Sequence, residues 1–372
     1  MMLDPAMPRA EIEQWLRETD AGRLEELWRT ADAVRAAHVG DAVHLRGLVE
    51  ISNHCARGCA YCGLRGPNGK LERYRMTAED ILACADEAVA FGYGTLVMQA
   101  GEDYGLTRDF ITGVIAAIKA RTPLAATLSL GERPLADLAA WRDAGADRYL
   151  LRFETSDRSL YEMIHPPLGG QTSDRLAMLA DVRDLGYEIG GGVMIGIPGQ
   201  TYAMLAGDVD AFRKYDFDML GMGPYIPHPD TPLGSGALAP AVPPGEQVPA
   251  DELMTYKMIA LARIVRPDAN IPSTTALATL NKATGRELGL ARGANVVMPN
   301  LTPPRYRVLY EVYPGKACVS ETAEACRGRL EERIRSLGRE VGGGPGGRRR
   351  GGGKRERLSS GRVTALRTGR RP

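Results

Sequence analysis

The sequence predicts an α/β fold: a full (β/α)8 TIM-type barrel with an N-terminal helical cap and a disordered basic C-terminal tail. Three observations carry this. From Val43 onward, short apolar runs alternate with amphipathic stretches in a regular rhythm, as in a parallel sheet wrapped by helices. The apolar runs are nearly continuous, so both faces of each strand are covered. Eight such runs are present, the number that closes as a barrel, and polar residues of chemical interest follow their ends, where such barrels keep their chemistry.

Residues 10–38 read as helices because Ile12, Trp15, Leu16, Leu24, Leu27, Trp28, Ala31 and Val34 recur at helical spacing, and residues 1–45 are assigned to the cap. The first strand falls near 47–53, and Thr77 caps the next helix with Asp80 at its third position. Strand 94–100, helix 107–121, strand 124–130, helix 134–144 and strand 147–153 follow. Helix 173–185, strand 188–195, helix 201–214, strand 217–223, helix 250–265, a short strand near 271–275 and a last strand at 294–298 complete a barrel unit spanning 46–338. The stretch 234–249, rich in Pro, Gly and Ala, reads as a loop over the barrel mouth or a linker. A partial barrel of six strands with the remainder appended is the alternative architecture. Beyond Gly338 the composition collapses to Gly and Arg, which assigns 339–372 to a disordered tail.

With 372 residues, 44% hydrophobic and 25% charged content and a formal charge of +1, the chain has no global bias toward nucleic acid or membrane. The N-terminus lacks signal-peptide character and no window reaches a membrane span. Six cysteines, three of them clustered, suit a reducing cytoplasm in which thiols serve as ligands.

That cluster is Cys55-Ala-Arg-Gly-Cys59-Ala-Tyr61-Cys62, directly after the first strand. Three thiolates on one short loop can hold three irons of one 4Fe-4S cluster and leave the fourth open. Structural zinc would need four closed ligands, with only His54 nearby to complete the set, and a disulfide would strand one thiol. An open iron can chelate the amino and carboxylate groups of S-adenosyl-L-methionine, and the motif, with an aromatic residue at Tyr61, resembles the radical SAM signature. Cofactor-binding candidates are then Gln99, Gly101 and Glu102 at one strand end for the ammonium, Glu154 for ribose hydroxyls and Arg175 for the methionyl carboxylate. Gly196-Ile-Pro-Gly-Gln-Thr201 lacks phosphate-loop order; it reads either as a turn approaching the adenine edge or as a plain βα turn.

The strings Ile51-Ser-Asn-His-Cys55, Tyr61-Cys-Gly-Leu-Arg65, Arg73-Tyr-Arg-Met76, Gly101-Glu-Asp103, Thr127-Leu-Ser-Leu-Gly-Glu132, Ala144-Gly-Ala-Asp-Arg-Tyr-Leu-Leu-Arg152 and Met298-Pro-Asn-Leu-Thr-Pro303, in this order, resemble the HydE family of radical SAM maturases of iron-only hydrogenase. So does the stretch from Gly221 to Leu233. The resemblance covers about residues 10–340. It implies a barrel enclosing a long cavity, a cluster and S-adenosylmethionine at its top, and assembly of the hydrogenase dinuclear subcluster from an organometallic, cysteine-bound iron precursor. Cavity residues implied by it are Thr127, Arg148, Arg152, Met194, Thr274, Thr275, Tyr306 and Tyr310. Other hydrogenase maturases and a flavodoxin or ferredoxin electron donor are the implied partners.

One departure stands out. A second cluster on a C-x7-C-x2-C run would need a third cysteine where Arg329 follows Cys318 and Cys326, so a single cluster is expected, and Cys84 reads as a small buried hydrophobe. The competing enzyme reading is radical chemistry on another small molecule, as in an amino-acid mutase of the methylornithine type or a biotin-synthase-like enzyme. A non-catalytic iron–sulfur or RNA-associated protein has only the basic tail in its favour.

Overall fold

The computed structural model describes residues 3–317 and 323–348. Helices α1 (Arg9–Arg17) and α2 (Ala21–Val39) precede β1 (Ala42–Ser52), α3 (Ala78–Ala90), β2 (Thr95–Ala100), α4 (Arg108–Arg121), β3 (Ala125–Ser129), α5 (Leu135–Asp143) and β4 (Arg148–Leu150). Then come α6 (Arg158–Ile164), α7 (Arg175–Asp184), β5 (Glu188–Ile195), α8 (Tyr202–Lys214), β6 (Met219–Pro224), α9 (Glu252–Val265), α10 (Thr275–Leu280) and α11 (Gly285–Ala291). The chain ends its described part with β7 (Val296–Val297), α12 (Pro304–Arg307), α13 (Ala323–Ser336) and β8 (Glu340–Gly342).

Strands run parallel in the order β6-β5-β4-β3-β2-β1-β7, curled into a partial TIM-type barrel, with β8 added beside the start of β1. The strand expected at 271–275 is not formed. Pro272 has no N–H for a ladder, and Thr274 leaves the extended path to cap α10, its hydroxyl accepting from the Leu277 amide. Among the described residues, single bridges stand between β6 and β7, Met219 with Asn270 and Pro272 with Val296.

Local chemistry explains most boundaries. Thr77, Thr107, Asp157, Asp174, Thr201 and Asp251 each accept a hydrogen bond from an amide in the first turn of the following helix. Glycines 191 and 192 let β5 lie tight on β6: a Cβ at Gly192 would sit 1.9 Å from the Gly221 carbonyl oxygen. Helix α9 is buried along its length, sandwiched between the barrel and the N-terminal helices. Its cations survive there by meeting carbonyls, Lys257 at Leu16 O and Arg263 at Gly293 O and Pro267 O. Thus α1 and α2 clad the α8–α9 side of the wall.

The start of the presumed tail is ordered. Pro345 O accepts from Thr95 and Arg148, Gly346 O accepts from Arg46 and Asn270, and Arg348 pairs with Asp216, Asp218 and Asp268. Composition misleads at 339–348 because the carbonyls of Pro345 and Gly346 accept from the buried cations Arg148 and Arg46, and the Arg339 and Arg348 side chains find buried partners. Residues 349–372, Cys318 and the side chain of Cys326 lie outside the described residues, so the expectations for them rest on sequence alone. Among the described residues no helix is long and apolar enough to cross a membrane.

Candidate active site

The cysteine loop begins where β1 ends and is held by its surroundings at many points. Ser52 Oγ donates to Asp103 Oδ2 at 2.7 Å, and Arg73 gathers the carbonyls of Asn53, Leu64, Arg65 and Asn68. Backbone amides tie the loop outward: Ala56 N to Glu102 O, Ala60 N to Ile164 O and Gly63 N to Val312 O. Close approach demands glycine twice. A Cβ at Gly63 would meet Glu311 O at 2.3 Å, and one at Gly101 would meet His54 O at 2.2 Å.

Cys55, Cys59 and Cys62 all line one cavity of about 340 Å³. Burial drives their thiol pKa values up, Cys59 to about 12 and Cys62 further, so only a bound cation would hold them as thiolates. Three free, soft donors without a carboxylate among them fit an iron–sulfur cluster. Among the described residues no three His, Cys, Asp or Glu side chains converge on a position for one ion, as zinc would require.

Around the cysteines lies a network of charge. Arg57 Nε donates to Glu102 Oε1 at 2.8 Å and Arg57 Nη2 to Glu132 Oε2 at 2.6 Å, while Arg175 Nε reaches Glu132 Oε1 at 2.9 Å and its Nη1 reaches Arg152 O at 2.8 Å. Glu102 also accepts from the Tyr104 hydroxyl and the Glu132 amide. Its carboxylate thereby helps to hold the loop, and Ala100, Gly101 and Glu102 all line the cavity. Arg175 lines the cavity as well. Glu154 sits at φ 64°, a left-handed conformation costly for any residue but glycine. That twist places its carboxylate 2.8 Å from Arg152 Nη2 and 3.3 Å from the Tyr61 hydroxyl.

Deeper residues divide. Thr127, Arg152, Met194, Thr274, Thr275, Tyr310, Tyr61 and Gln99 line the cavity, the last donating to the Tyr310 hydroxyl at 3.2 Å. The Thr127 hydroxyl is buried without a hydrogen-bond partner among the described residues.

Arg148 and Tyr306 are not brought there. Arg148 points to the base of the barrel, where Glu188 (2.6 Å), Thr95 and Pro345 O take its donors, because it begins β4 rather than ending it. Tyr306 stacks on Tyr74 and donates to Asp80 at 2.8 Å, on the outer side of β1. Gly196 is packed on Ala250 and Gly199 on Pro240, and no residue of the Gly196–Thr201 turn is among those that line the cavity.

Sequence reasoning missed several cavity residues. Glu50 and Lys316 form a buried ion pair in the wall, with Asn300 on the second Glu50 oxygen. Arg46 lies at the floor beside Met219 and Asn270, pushed down to about 9 by burial and by Arg148. Single charges, two within β1 and one at Lys316 outside any strand, give no pattern that singles them out.

Comparisons with known proteins agree with this geometry. The Radical SAM superfamily profile matches residues 49–212. The FeFe-hydrogenase maturase subunit HydE of Thermotoga maritima is 45% identical over 342 residues, covering 92% of this chain and 94% of that protein. A 3-methylornithine synthase of Methanosarcina acetivorans is 26% identical over 74% of each chain. Among solved structures, methylornithine synthase PylB superposes with a TM-score of 0.74 at 22% identity, over 90% of this chain and 94% of that one, a likeness of fold. A match of that extent to HydE, with the three cysteines lining the cavity, shows that the chain belongs to the HydE family of radical SAM hydrogenase maturases.

Proposed function

We propose that this protein is a radical SAM enzyme generating a 5′-deoxyadenosyl radical for assembly of the dinuclear subcluster of the FeFe-hydrogenase H-cluster. The observation that carries the reading is the placement of three thiols on the wall of one charge-lined cavity in a chain so similar to HydE. When bound, a single 4Fe-4S cluster and S-adenosylmethionine supply one-electron reduction of the sulfonium and the radical.

The chain's own groups then have separable tasks. Cys55, Cys59 and Cys62 hold the cluster; Arg57, Glu102 and Glu132 fix their loop. Glu154 and Arg175 hold the ribose and carboxylate ends of the cofactor, and the Ala100–Gly101 backbone receives its ammonium. Thr127, Arg152, Met194, Thr274, Thr275 and Tyr310 grip a small organometallic substrate, and the Thr127 hydroxyl, otherwise unpartnered, is suited to an anionic group of it. Residues 270–272, bridged to both β6 and β7, act as the remaining stave of a full barrel around the substrate. The unit spanning 46–338 works in the cytoplasm with other hydrogenase maturases and a flavodoxin or ferredoxin donor.

Anaerobic reconstitution tests this reading. About four irons per chain are expected, with 5′-deoxyadenosine formed under reduction. Turnover should respond to a cysteine-bound iron carbonyl cyanide precursor and not to lysine or ornithine; response to the amino acids alone would favour a mutase instead.

A further inference from the structure

The contact between Glu154 and Tyr61 continues to a residue behind the cavity wall. His165 follows α6, is 3% exposed, and places Nε2 3.0 Å from the Tyr61 hydroxyl. Its ring is fixed by stacking on Tyr161, 4.4 Å between centroids and 19° from parallel, and the Tyr161 hydroxyl is in turn bonded to Ser173 at 2.7 Å. The backbones are joined alongside, Ala60 N donating to Ile164 O at 2.8 Å.

The position of the imidazole proton follows from the contacts. Burial, with Arg175 and Arg57 nearby, presses the His165 pKa well below its usual value, so the ring is neutral and has one N–H. Nδ1 is buried without a hydrogen-bond partner among the described residues. If Nδ1 held the proton, a buried N–H would be orphaned, and the Tyr61 O–H would be drawn to Nε2, turning its lone pairs toward the Glu154 carboxylate 3.3 Å away. With the proton on Nε2, His165 donates to the Tyr61 oxygen and Tyr61 donates to Glu154 Oε1, so both contacts are hydrogen bonds.

We propose that His165 is a positioning residue for S-adenosylmethionine: its Nε2–H orients the Tyr61 hydroxyl, which in turn aims the Glu154 carboxylate into the cavity. This rests on the reading of Tyr61 and Glu154 as cofactor-contacting groups. A tyrosine one residue before Cys62 is thereby locked from behind, and the strained backbone of Glu154 is held from the side-chain end.

The test uses reconstituted full-length protein and the variants His165→Phe, His165→Gln, Tyr61→Phe and the His165→Phe/Tyr61→Phe double. Two readouts are followed: S-adenosylmethionine affinity by calorimetry, and the change in the electron paramagnetic resonance spectrum of the reduced cluster when the cofactor is added. His165→Phe should weaken binding about two- to tenfold, the range of one hydrogen bond. His165→Gln should restore it, since the glutamine N–H reaches the same place, and the double variant should bind no worse than the weaker single one. Tyr61→Phe at wild-type affinity would end the reading of the cofactor site. Tyr61→Phe impaired with His165→Phe unaffected would leave that reading intact and overturn the proposal, as would His165→Gln as impaired as His165→Phe. If His165→Phe fails to hold iron, the His165→Gln and Tyr61→Phe comparison still decides.

Discussion

Arg57 Nε lies 2.8 Å from Glu102 Oε1 with both side chains buried, so the loop between Cys55 and Cys59 is fastened to the end of β2 by an ion pair hidden from water. Glu132 shares the guanidinium, and Arg175 shares Glu132, so one chain of charges links the cysteine loop to the start of α7.

Removing one member of a buried pair leaves the other charge uncompensated, at a cost of about 3–5 kcal/mol. Arg57→Met should therefore lower stability by an amount of that order and release iron faster after reconstitution. Anaerobic denaturant unfolding, followed at the cluster absorption, measures both. A wild-type midpoint would mean that Glu102 and Glu132 find other partners.

Arg148→Met should act at the base of the barrel. The guanidinium holds Glu188 and the carbonyl of Pro345, so its loss should loosen 340–348 and expose Arg339 and Arg348 to trypsin sooner, with cofactor binding unchanged. Limited proteolysis with mass analysis reads this directly. Unchanged protection would remove the role assigned to Arg148 in anchoring this segment.

Asp208 gives a pH dependence with a definite sign. Fully buried behind Thr155, Ser156 and Gln200, it titrates near about 7, raised first by desolvation, against an ordinary value of 3.8. A raised carboxyl favours the folded state while protonated. Its contribution is complete below about pH 4, declines as pH rises toward 7 and is flat above. The stability difference between wild type and Asp208→Asn, measured across pH 4–8, should follow that decline; a difference independent of pH would show an unshifted carboxyl.

How much of this was legible in the sequence depended on how local the cause was. Apart from α6, strand and helix order through β6 followed from apolar runs and from caps such as Thr77, because periodicity and capping are properties of neighbouring residues. Cys55, Cys59 and Cys62 were legible because their spacing is itself the signal. Arg148 and Arg152 were grouped together on resemblance, yet four residues along β4 and its exit carry one to the base and the other to the cavity. Tyr306 and Tyr310, four apart near α12, part company in the same way. Helix α6 was missed although Asp157 caps it, and with it His165; its short run of Leu160, Tyr161 and Ile164 gives too few turns to show a period. Glu50 pairs with Lys316 across 266 positions, a relationship no local pattern encodes.

The central claim is that this chain performs the HydE step of hydrogenase maturation. Cell-free activation of apo-hydrogenase, with the reconstituted protein as the only source of that component, measures it through hydrogen evolution. Active hydrogenase is expected with the wild-type chain, and none with Cys55→Ala, Cys59→Ala or Cys62→Ala, with 5′-deoxyadenosine falling to background in the same reactions. Maturation that survives loss of a cysteine, or that fails with a fully loaded wild-type protein still forming 5′-deoxyadenosine, would contradict it.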